Sequence, residues 1–232
     1  KNVKIVKQEK LLNYQYDFAI FNSLTLQQRH IDGLIKRLHL PSIVINHEPY
    51  TESAFHLKSR LRQTGCEFYS TEKGQKNSIP YGAKVKEVEK DIDVLVAGCF
   101  EEHDHGILYQ LKNEIKNLKL IGNTKVPFNT KVVSYEDYKN YCYRAKVYIN
   151  LSTANNISYE CLWAMGGGAD IINLGNNAKV STIANNAKEK LRNYTLNTKN
   201  METLENKFNY QKFHNKWKDA IEKSCQKVYT YE

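Results

Sequence analysis

Glu160 stands near the start of an apolar stretch, ISYECLWAMGGGADII, at residues 157–172. Residues 161–165 carry no charge, so the pattern predicts a buried helix with a carboxylate in its exposed first turn. A carboxylate there interacts favourably with the helix dipole by about 0.3–1 kcal/mol and needs no ligand to do so. It can also accept hydrogen bonds from the hydroxyls of a bound nucleotide.

Glycines lie at two further points, one after the predicted helix and one at the end of an earlier apolar run. Glycines 166–168 follow the predicted helix and turn the chain into the next strand, as a C-cap cluster does. Earlier in the chain, the apolar run IDVLVAGCF ends near Gly98, which leaves room for a ligand close to the backbone. A carboxylate that faces such a loop suits a nucleotide, because the acid holds the ribose hydroxyls while the loop lies beside the phosphates.

Apolar β-branched runs alternate with helical patterns and predict the scaffold for these residues. In the first third of the chain, strands are predicted at residues 3–6, 17–21, 42–47 and 66–70, and helices at 24–38 and 52–61. Residues 77–91 contain a proline and a glycine but no apolar period, which indicates a linker.

The same alternation resumes after the linker. Strands are predicted at residues 92–97, 118–121, 131–133, 146–151 and 170–173, and helices at 104–116, 135–143 and 158–165. A last helical segment, residues 204–228, has one apolar and one basic stripe, formed by Phe213, Trp217, Ile221 and Val228 and by Lys212, Lys216, Lys223 and Lys227. Packing against the body of the protein explains the apolar stripe, and exposure to solvent explains the basic one.

Strands that alternate with helices are typical of parallel sheets with right-handed crossovers. We therefore predict an α/β fold of two Rossmann-like parallel-sheet units with a C-terminal helix that packs back. The predicted boundaries are residues 1–78 for a short first unit, 79–200 for the second unit and 201–232 for the helix.

The charge balance favours an anionic partner. The 34 basic and 25 acidic residues give a net charge of +9, which suits a polyanion or a nucleotide phosphate. Lysine, asparagine and tyrosine are abundant throughout the chain, so a bias in base composition is an equal explanation. With no long apolar run and no secretory pattern in residues 1–10, we expect a cytoplasmic protein without a membrane span.

The five cysteines indicate neither a disulfide framework nor a cysteine-rich zinc site. They are odd in number and show no CxxC spacing, so we expect buried, small apolar residues; they are Cys66, Cys99, Cys142, Cys161 and Cys225.

Five motifs carry a family resemblance by their order and spacing: IPYG, DVLVAGCF, LKLIGN, VVSYEDYKNYCYRAKVYINLS and SYECLWAMGGGADII. Together, over residues 79–174, they resemble the C-terminal half of group 1 GT-B glycosyltransferases. The similarity is greatest to the CgeB-like branch of spore-maturation relatives, which also occurs in bacteriophages. The resemblance implies a GT-B fold, with an acceptor-side first unit and a second unit that binds a nucleotide-sugar donor.

The resemblance also assigns donor-binding roles to individual residues. It implies that Glu160 binds the ribose hydroxyls, that Gly98 faces the phosphates and that Gly122 lies beside the base. The full predicted set is Gly98, Cys99, His105, Gly122, Val133, Ser134, Ser158, Tyr159 and Glu160. In this set, Val133 and Ser134 belong to the segment whose backbone meets the base, and Ser158 and Tyr159 lie near the diphosphate.

The chain departs from the family pattern at two points. Many group 1 enzymes have a second glutamate eight residues before the ribose-binding one, where this chain has Ser152. The arginine that usually supports the phosphates is replaced by EEHDHG, in which His103 or His105 can substitute, although neutral histidine is a poorer phosphate partner.

His47 and Glu48 are the predicted catalytic residues of the first unit. They follow an apolar strand in SIVINHEPY and precede a proline that forces a turn. In a purely structural explanation, His47 ends the strand and hydrogen-bonds to the backbone. In the functional explanation, His47 and Glu48 face the cleft between the units, and either residue acts as general base if the enzyme inverts.

Two patterns mimic metal sites. Cys99, His103 and His105 form a C-x3-H-x-H cluster without an evident fourth ligand. The DID of residues 91–93 mimics the metal-binding DxD of the other glycosyltransferase fold, but it leads into a buried strand. Since GT-B enzymes generally need no metal for the chemistry, we predict neither a metal nor a cofactor.

The function expected from the resemblance is metal-independent glycosyl transfer from a nucleotide-sugar, a UDP-sugar in the leading hypothesis. Lys84 and Lys125 are further candidates for stabilising the departing diphosphate. The acceptor is a glycan, a protein or a modified base in phage DNA, and the oligomeric state stays open. A catalytically inactive relative that binds nucleotides or partners is the alternative.

Overall fold

The computed structural model describes residues 18–22, 42–46, 66–70, 79, 81–98, 100, 104–122, 133–151, 157–174 and 179–228, with backbone alone at 22, 46 and 225–228. The chain divides into two compact units, Lys1–Pro80 with His214–Glu232, and Tyr81–Phe213. Each unit contains one parallel sheet.

The first unit contains three short strands. They are β1 (Ala19–Asn22), β2 (Ser42–Asn46) and β3 (Glu67–Ser70). They pair in parallel in the order β1-β2-β3, and Ile43, Val44 and Phe68 are buried. These strands confirm three of the predicted ones to within two residues. The predicted strand at 3–6 and the helices at 24–38 and 52–61 lie outside the described residues.

The second unit is built on a four-stranded parallel sheet. Its strands are β4 (Ile92–Gly98), β5 (Leu118–Gly122), β6 (Ala145–Asn150) and β7 (Asp170–Asn173). The order is β5-β4-β6-β7, so the chain passes from β4 to one side and then returns across it to β6. This reversal between β4 and β6 is a topological switch point, the place where open α/β sheets bind ligands.

Helices cover both faces of this sheet. They are α1 (His105–Glu114), α2 (Tyr135–Arg144), α3 (Tyr159–Gly166), α4 (Val180–Arg192) and α5 (Thr198–Lys207). Val94 and Val96 of β4 pack with α1 and α4, whereas Leu95 and Ala97 pack with α2, α3 and α5. The alternation follows from the period of two in a strand, and it gives the unit a core on each side of the sheet.

Helix α3 is the apolar helix that the sequence predicts. Its residues from Cys161 to Gly166 are all buried, and the half-buried Glu160 lies in the first turn. After it, Gly168 adopts a φ of +79°, a conformation that side chains other than glycine rarely take. The glycine cluster therefore ends the helix and turns the chain into β7.

The C-terminal segment forms two helices where the sequence analysis treats residues 204–228 as one helical segment. Helix α5 ends at Lys207, and α6 (Tyr210–Val228) follows after Asn209 forms a parallel bridge with Ala83. Within the first unit, Trp217 of α6 lies against Tyr69 of β3, with ring centroids 6.1 Å apart. The helix therefore packs back on the first sheet, as predicted.

Two further differences from the sequence-based prediction have physical causes. Helix α4 is missed because its buried face uses Ala184 and Ala187 beside Ile183, and alanines give a weak apolar period. The predicted strand at 131–133 is wrong at Val133, which lies in irregular backbone before α2; the other two residues lie outside the described ranges.

Candidate functional site

Two glycines lie side by side at the carboxyl edge of the second sheet. Gly98 ends β4, Gly122 ends β5, and the two are paired in register. A Cβ at Gly122 would lie 2.9 Å from the carbonyl oxygen of Gly98, so the strands need glycine there to approach. At Gly98 the nearest atom to a Cβ is Cε1 of Phe100 at 3.8 Å, which leaves the backbone accessible within the described structure.

Serines begin the two helices that point toward this edge. The Ser158 hydroxyl accepts a hydrogen bond from the Cys161 N–H of α3 at 3.2 Å. The Ser134 hydroxyl accepts one from the Asp137 N–H of α2 at 3.2 Å and donates to the Asp137 carboxylate at 2.7 Å. Both are N-caps, and the first-turn N–H groups of a helix are the kind of donors that bind anions.

The Glu160 carboxylate meets a tyrosine of the neighbouring helix. The Tyr138 hydroxyl of α2 donates to Oε1 of Glu160 at 2.7 Å. Among the described residues this is the one hydrogen bond to the carboxylate, so Oε2 keeps its lone pairs for other donors. Burial, followed by the charge of Glu160, raises the pKa of the Cys161 thiol to about 12 and also raises the pKa of Tyr148.

An aromatic cluster fixes α2 against α3. The Tyr159 ring lies between Tyr81, at 3.7 Å between centroids, and Trp163, at 5.6 Å in a stacked arrangement. Tyr135 and Tyr138 meet Trp163 edge-on at 5.8 and 6.1 Å. The side chain of Tyr159 is therefore packed within its own unit, and its predicted place near a diphosphate stays a prediction.

Polar side chains at the strand ends form contacts that the sequence analysis did not anticipate. The buried Asn150 at the end of β6 donates through its side chain to Oδ1 of Asn173 in β7 at 3.0 Å. The buried Tyr148 hydroxyl donates to the carbonyl of Ala97 at 2.9 Å and ties β6 to β4 at the switch point. Asn150 stands at the carboxyl end of β6, the edge where open α/β sheets bind ligands, and its position there is a signal that the sequence contains.

The other predicted site residues are only partly described. His105 is the half-buried first residue of α1, and the half-buried Val133 packs against the core beside α2. Cys99, His47 and Glu48 lie outside the described residues, as do Ser152, His103 and Lys125. Their predicted roles stay predictions.

The DID motif lies at the opposite, amino edge of the sheet and is engaged in ion pairs. Asp91 forms a bidentate pair with Arg144, and Asp93 accepts from Lys146 at 2.7 Å and from Asn117 at 3.1 Å. Hydrogen bonds from these partners lower the pKa of both carboxyls. Each aspartate thus has a structural partner.

Lys90 closes the C-terminal end of α2. Its Nζ donates to the carbonyls of Tyr143 at 2.6 Å and Ala145 at 3.0 Å, which satisfies backbone acceptors at the helix end. Burial lowers the pKa of this ammonium from 10.5 to about 8. Lys84, by contrast, lies over the ring of Tyr210 at 5.0 Å.

The described cysteines lie in or near the cores of their units. Cys142 and Cys161 are buried, as predicted, and Cys66 is half-buried with its thiol donating to the carbonyl of Ser42 at 3.1 Å. In the ranges that the structure covers, every helix is too short or too polar to cross a bilayer.

Neither a protein-family model nor a curated protein sequence matches this chain. Its structure is similar to that of the pneumococcal O-GlcNAc transferase GtfA in complex with UDP and GlcNAc, with a TM-score of 0.51 and 11% identity. The fold is GT-B-like. The match covers 85% of this chain and 60% of the transferase, so the chain spans about three fifths of that GT-B protein.

Two other solved structures show weaker likeness. The GtfA/B complex gives a TM-score of 0.45 at 9% identity and covers 86% of this chain and 61% of that one. An alpha1,3-fucosyltransferase gives 0.38 at 7% identity and covers 95% and 93%. The predicted α/β, GT-B-like fold is thus confirmed by the first likeness, whereas the CgeB-like branch stays a prediction.

Proposed function

We propose that the chain is a glycosyltransferase that moves a sugar from a UDP-sugar to an acceptor. The observation that carries the proposal is the position of Glu160, in the first turn of a buried helix that follows β6 beside the switch point. Among the described residues its carboxylate accepts one hydrogen bond, which leaves acceptor capacity for the two ribose hydroxyls.

The surroundings of Glu160 support a nucleotide diphosphate as the donor's leaving group. Within the described residues the backbone at Gly98 is accessible, and the helix N-termini at Ser134 and Ser158 offer N–H groups and positive dipole ends to an anion. The fold likeness to a transferase whose structure contains UDP and GlcNAc favours uracil as the base.

The proposed reaction is a substitution at the anomeric carbon of the sugar. The bond from that carbon to the diphosphate oxygen breaks, a bond to the acceptor oxygen forms, and a general base takes the acceptor proton. We assign stabilisation of the departing diphosphate to helix N-termini and His105, without a metal, and the base to His47 or Glu48.

The experiment that tests the donor site is UDP binding by calorimetry to the chain and to Glu160→Gln. Hydrogen bonds to a charged group contribute about 1.5–3 kcal/mol, so we expect Glu160→Gln to lower the affinity for UDP about tenfold or more. Glu136→Gln is the matched control, because this exposed glutamate lies in the first turn of α2 and pairs only loosely with Lys139 at 3.9 Å. Failure of the unaltered chain to bind UDP would contradict the proposal.

A catalytically inactive relative is the second candidate. Ser152 in place of a glutamate and EEHDHG in place of an arginine favour it. Hydrolysis of UDP-sugars separates the two functions: slow turnover that Glu160→Gln abolishes supports the transferase, and UDP binding without turnover of any UDP-sugar supports the inactive relative.

For the acceptor, a glycan, a protein and DNA are separate hypotheses. DNA rests on the net charge of +9 and on the exposed lysines of α6 at 212, 216 and 223. A protein that neutralises phosphates loses affinity steeply with salt, so DNA binding that is indifferent to salt would remove this acceptor.

A further inference from the structure

Tyr138 and Glu160 bring two helices together at the proposed ribose site. They lie 22 positions apart, in α2 and α3, and are joined by the 2.7 Å hydrogen bond from the phenol to Oε1. The Tyr138 ring itself is held edge-on to the buried Trp163 at 6.1 Å and 89°. The hydroxyl therefore reaches the carboxylate from a fixed ring.

Such a contact restricts the carboxylate in a way that ribose recognition needs. A hydroxyl bonded to an ionised carboxylate is a charge-assisted pair, about twice as strong as a neutral one. With Oε1 held by Tyr138, rotation of the carboxylate costs that bond, so Oε2 and the second lone pair of Oε1 keep fixed directions. Two adjacent hydroxyls on a five-membered ring require acceptors in fixed directions.

We infer that Tyr138 is a positioning residue that orients Glu160 for the 2′- and 3′-hydroxyls of the nucleotide's ribose. The inference rests on the proposed function, because it assumes that Glu160 binds ribose. A purely structural role would make the hydrogen bond a link between α2 and α3, and its loss would then affect all ligands equally.

The test compares UDP with 2′-deoxy-UDP on Tyr138→Phe, which keeps the ring against Trp163 and removes the hydroxyl. We expect Kd for UDP to rise about fivefold and Kd for 2′-deoxy-UDP to change much less, so that the preference for ribose falls. When Tyr138→Phe is added to Glu160→Gln, the affinity for UDP should fall little further, because the two residues act as one unit.

Tyr143→Phe is the matched control. Tyr143 lies in the same helix, and its hydroxyl donates to the carbonyl of Lys84 at 3.0 Å, away from Glu160. Its removal costs a tyrosine hydrogen bond to a neutral carbonyl, and we expect the ratio of the two Kd values to stay as in the unaltered chain.

Glu160→Asp is a second route that does not alter Tyr138. It keeps the charge but withdraws the carboxylate by one methylene from the Tyr138 hydroxyl, and we expect the same loss of ribose preference. The shorter side chain also withdraws from the ribose, so the informative result is retention: a ribose preference kept in this variant overturns the inference even if Tyr138→Phe does not fold.

The outcomes separate the inference from the proposed function. A ribose preference that Glu160→Gln removes but that Tyr138→Phe and Glu160→Asp both retain overturns the role of Tyr138 and leaves the donor site intact. Equal losses in Tyr138→Phe and Tyr143→Phe likewise overturn it. A chain that binds neither nucleotide removes the proposed function and this inference together.

Discussion

Gly167→Ala should strongly destabilise the second unit because α3 ends against the end of α2. A Cβ at Gly167 would lie well inside contact distance of the carbonyl oxygen of Tyr143 and 2.8 Å from Nζ of Lys90. Backbone strain plays no part, since Gly167 has an ordinary φ of −83°. Neither neighbour can withdraw easily, because Lys90 holds the same carbonyl at 2.6 Å.

The expected loss follows from three contributions. Forcing an atom into packed structure costs about 1–3 kcal/mol, and this contact belongs at the upper end. Disturbing the Lys90 hydrogen bond adds about 1 kcal/mol, whereas alanine lowers the entropy of the unfolded chain and returns about 0.4–1 kcal/mol. The net loss in free energy of unfolding is about 3 kcal/mol.

Gly106→Ala is the matched control, because a Cβ at this exposed position in α1 meets nothing within 4 Å. Alanine is favoured over glycine in a helix by about 0.5–1 kcal/mol, so the control should gain stability. Urea unfolding of the full chain in a Trp217→Phe background reports on the second unit, because Trp163 is then the one tryptophan left. Equal midpoints for the two alanine variants would refute the close approach of α3 to α2.

Two further predictions concern the ligand edge and pH. Gly98→Ala should leave the urea midpoint nearly unchanged, because its Cβ has an ordinary contact at 3.8 Å. It should weaken the binding of UDP about tenfold if the diphosphate lies against that backbone. An unchanged affinity for UDP would place the ligand elsewhere. For Lys90, the folded pKa of about 8 lies below the ordinary 10.5, so the unfolded chain binds more protons between these values and stability rises with pH across the window. Between pH 8 and 10.5, the free energy of unfolding of the unaltered chain should rise by about 1–2 kcal/mol relative to that of Lys90→Met, after discounting for solvent screening. A difference between the two chains that stays constant with pH in urea unfolding would contradict this.

The strands of both sheets were predictable because each is a short apolar run bounded by polar residues. Fully buried parallel strands must read this way, and β7 is predicted at its observed bounds, Asp170–Asn173. Hydrophobic periodicity did not predict the structure where packing between distant segments of the chain decides it. The break between α5 and α6 depends on Asn209 pairing with Ala83, which lies more than a hundred residues earlier.

The places of Glu160 at a helix start and of Gly98 at a strand end were predictable from the sequence, whereas their roles in binding a ligand stay predictions. Glu160 and Gly98 were identified from strand ends and helix starts, which are local features. The hydrogen bond from Tyr138 to Glu160 was not, because a tyrosine-rich helix gives no indication of which hydroxyl faces the neighbouring helix. Only the packing of α2 on α3 selects it.

The acid and the glycines that bracket α3 are two consequences of that same packing. At one end of the helix, Gly167 lets the backbone approach the carbonyl of Tyr143 at the end of α2. At the other end, Glu160 meets Tyr138 near the start of α2. An eight-residue helix is only about 12 Å long and moves as a rigid body, so both contacts must be made together. Gly167 is therefore required for the acid to reach its partner, even though it lies at the end of the helix farthest from it.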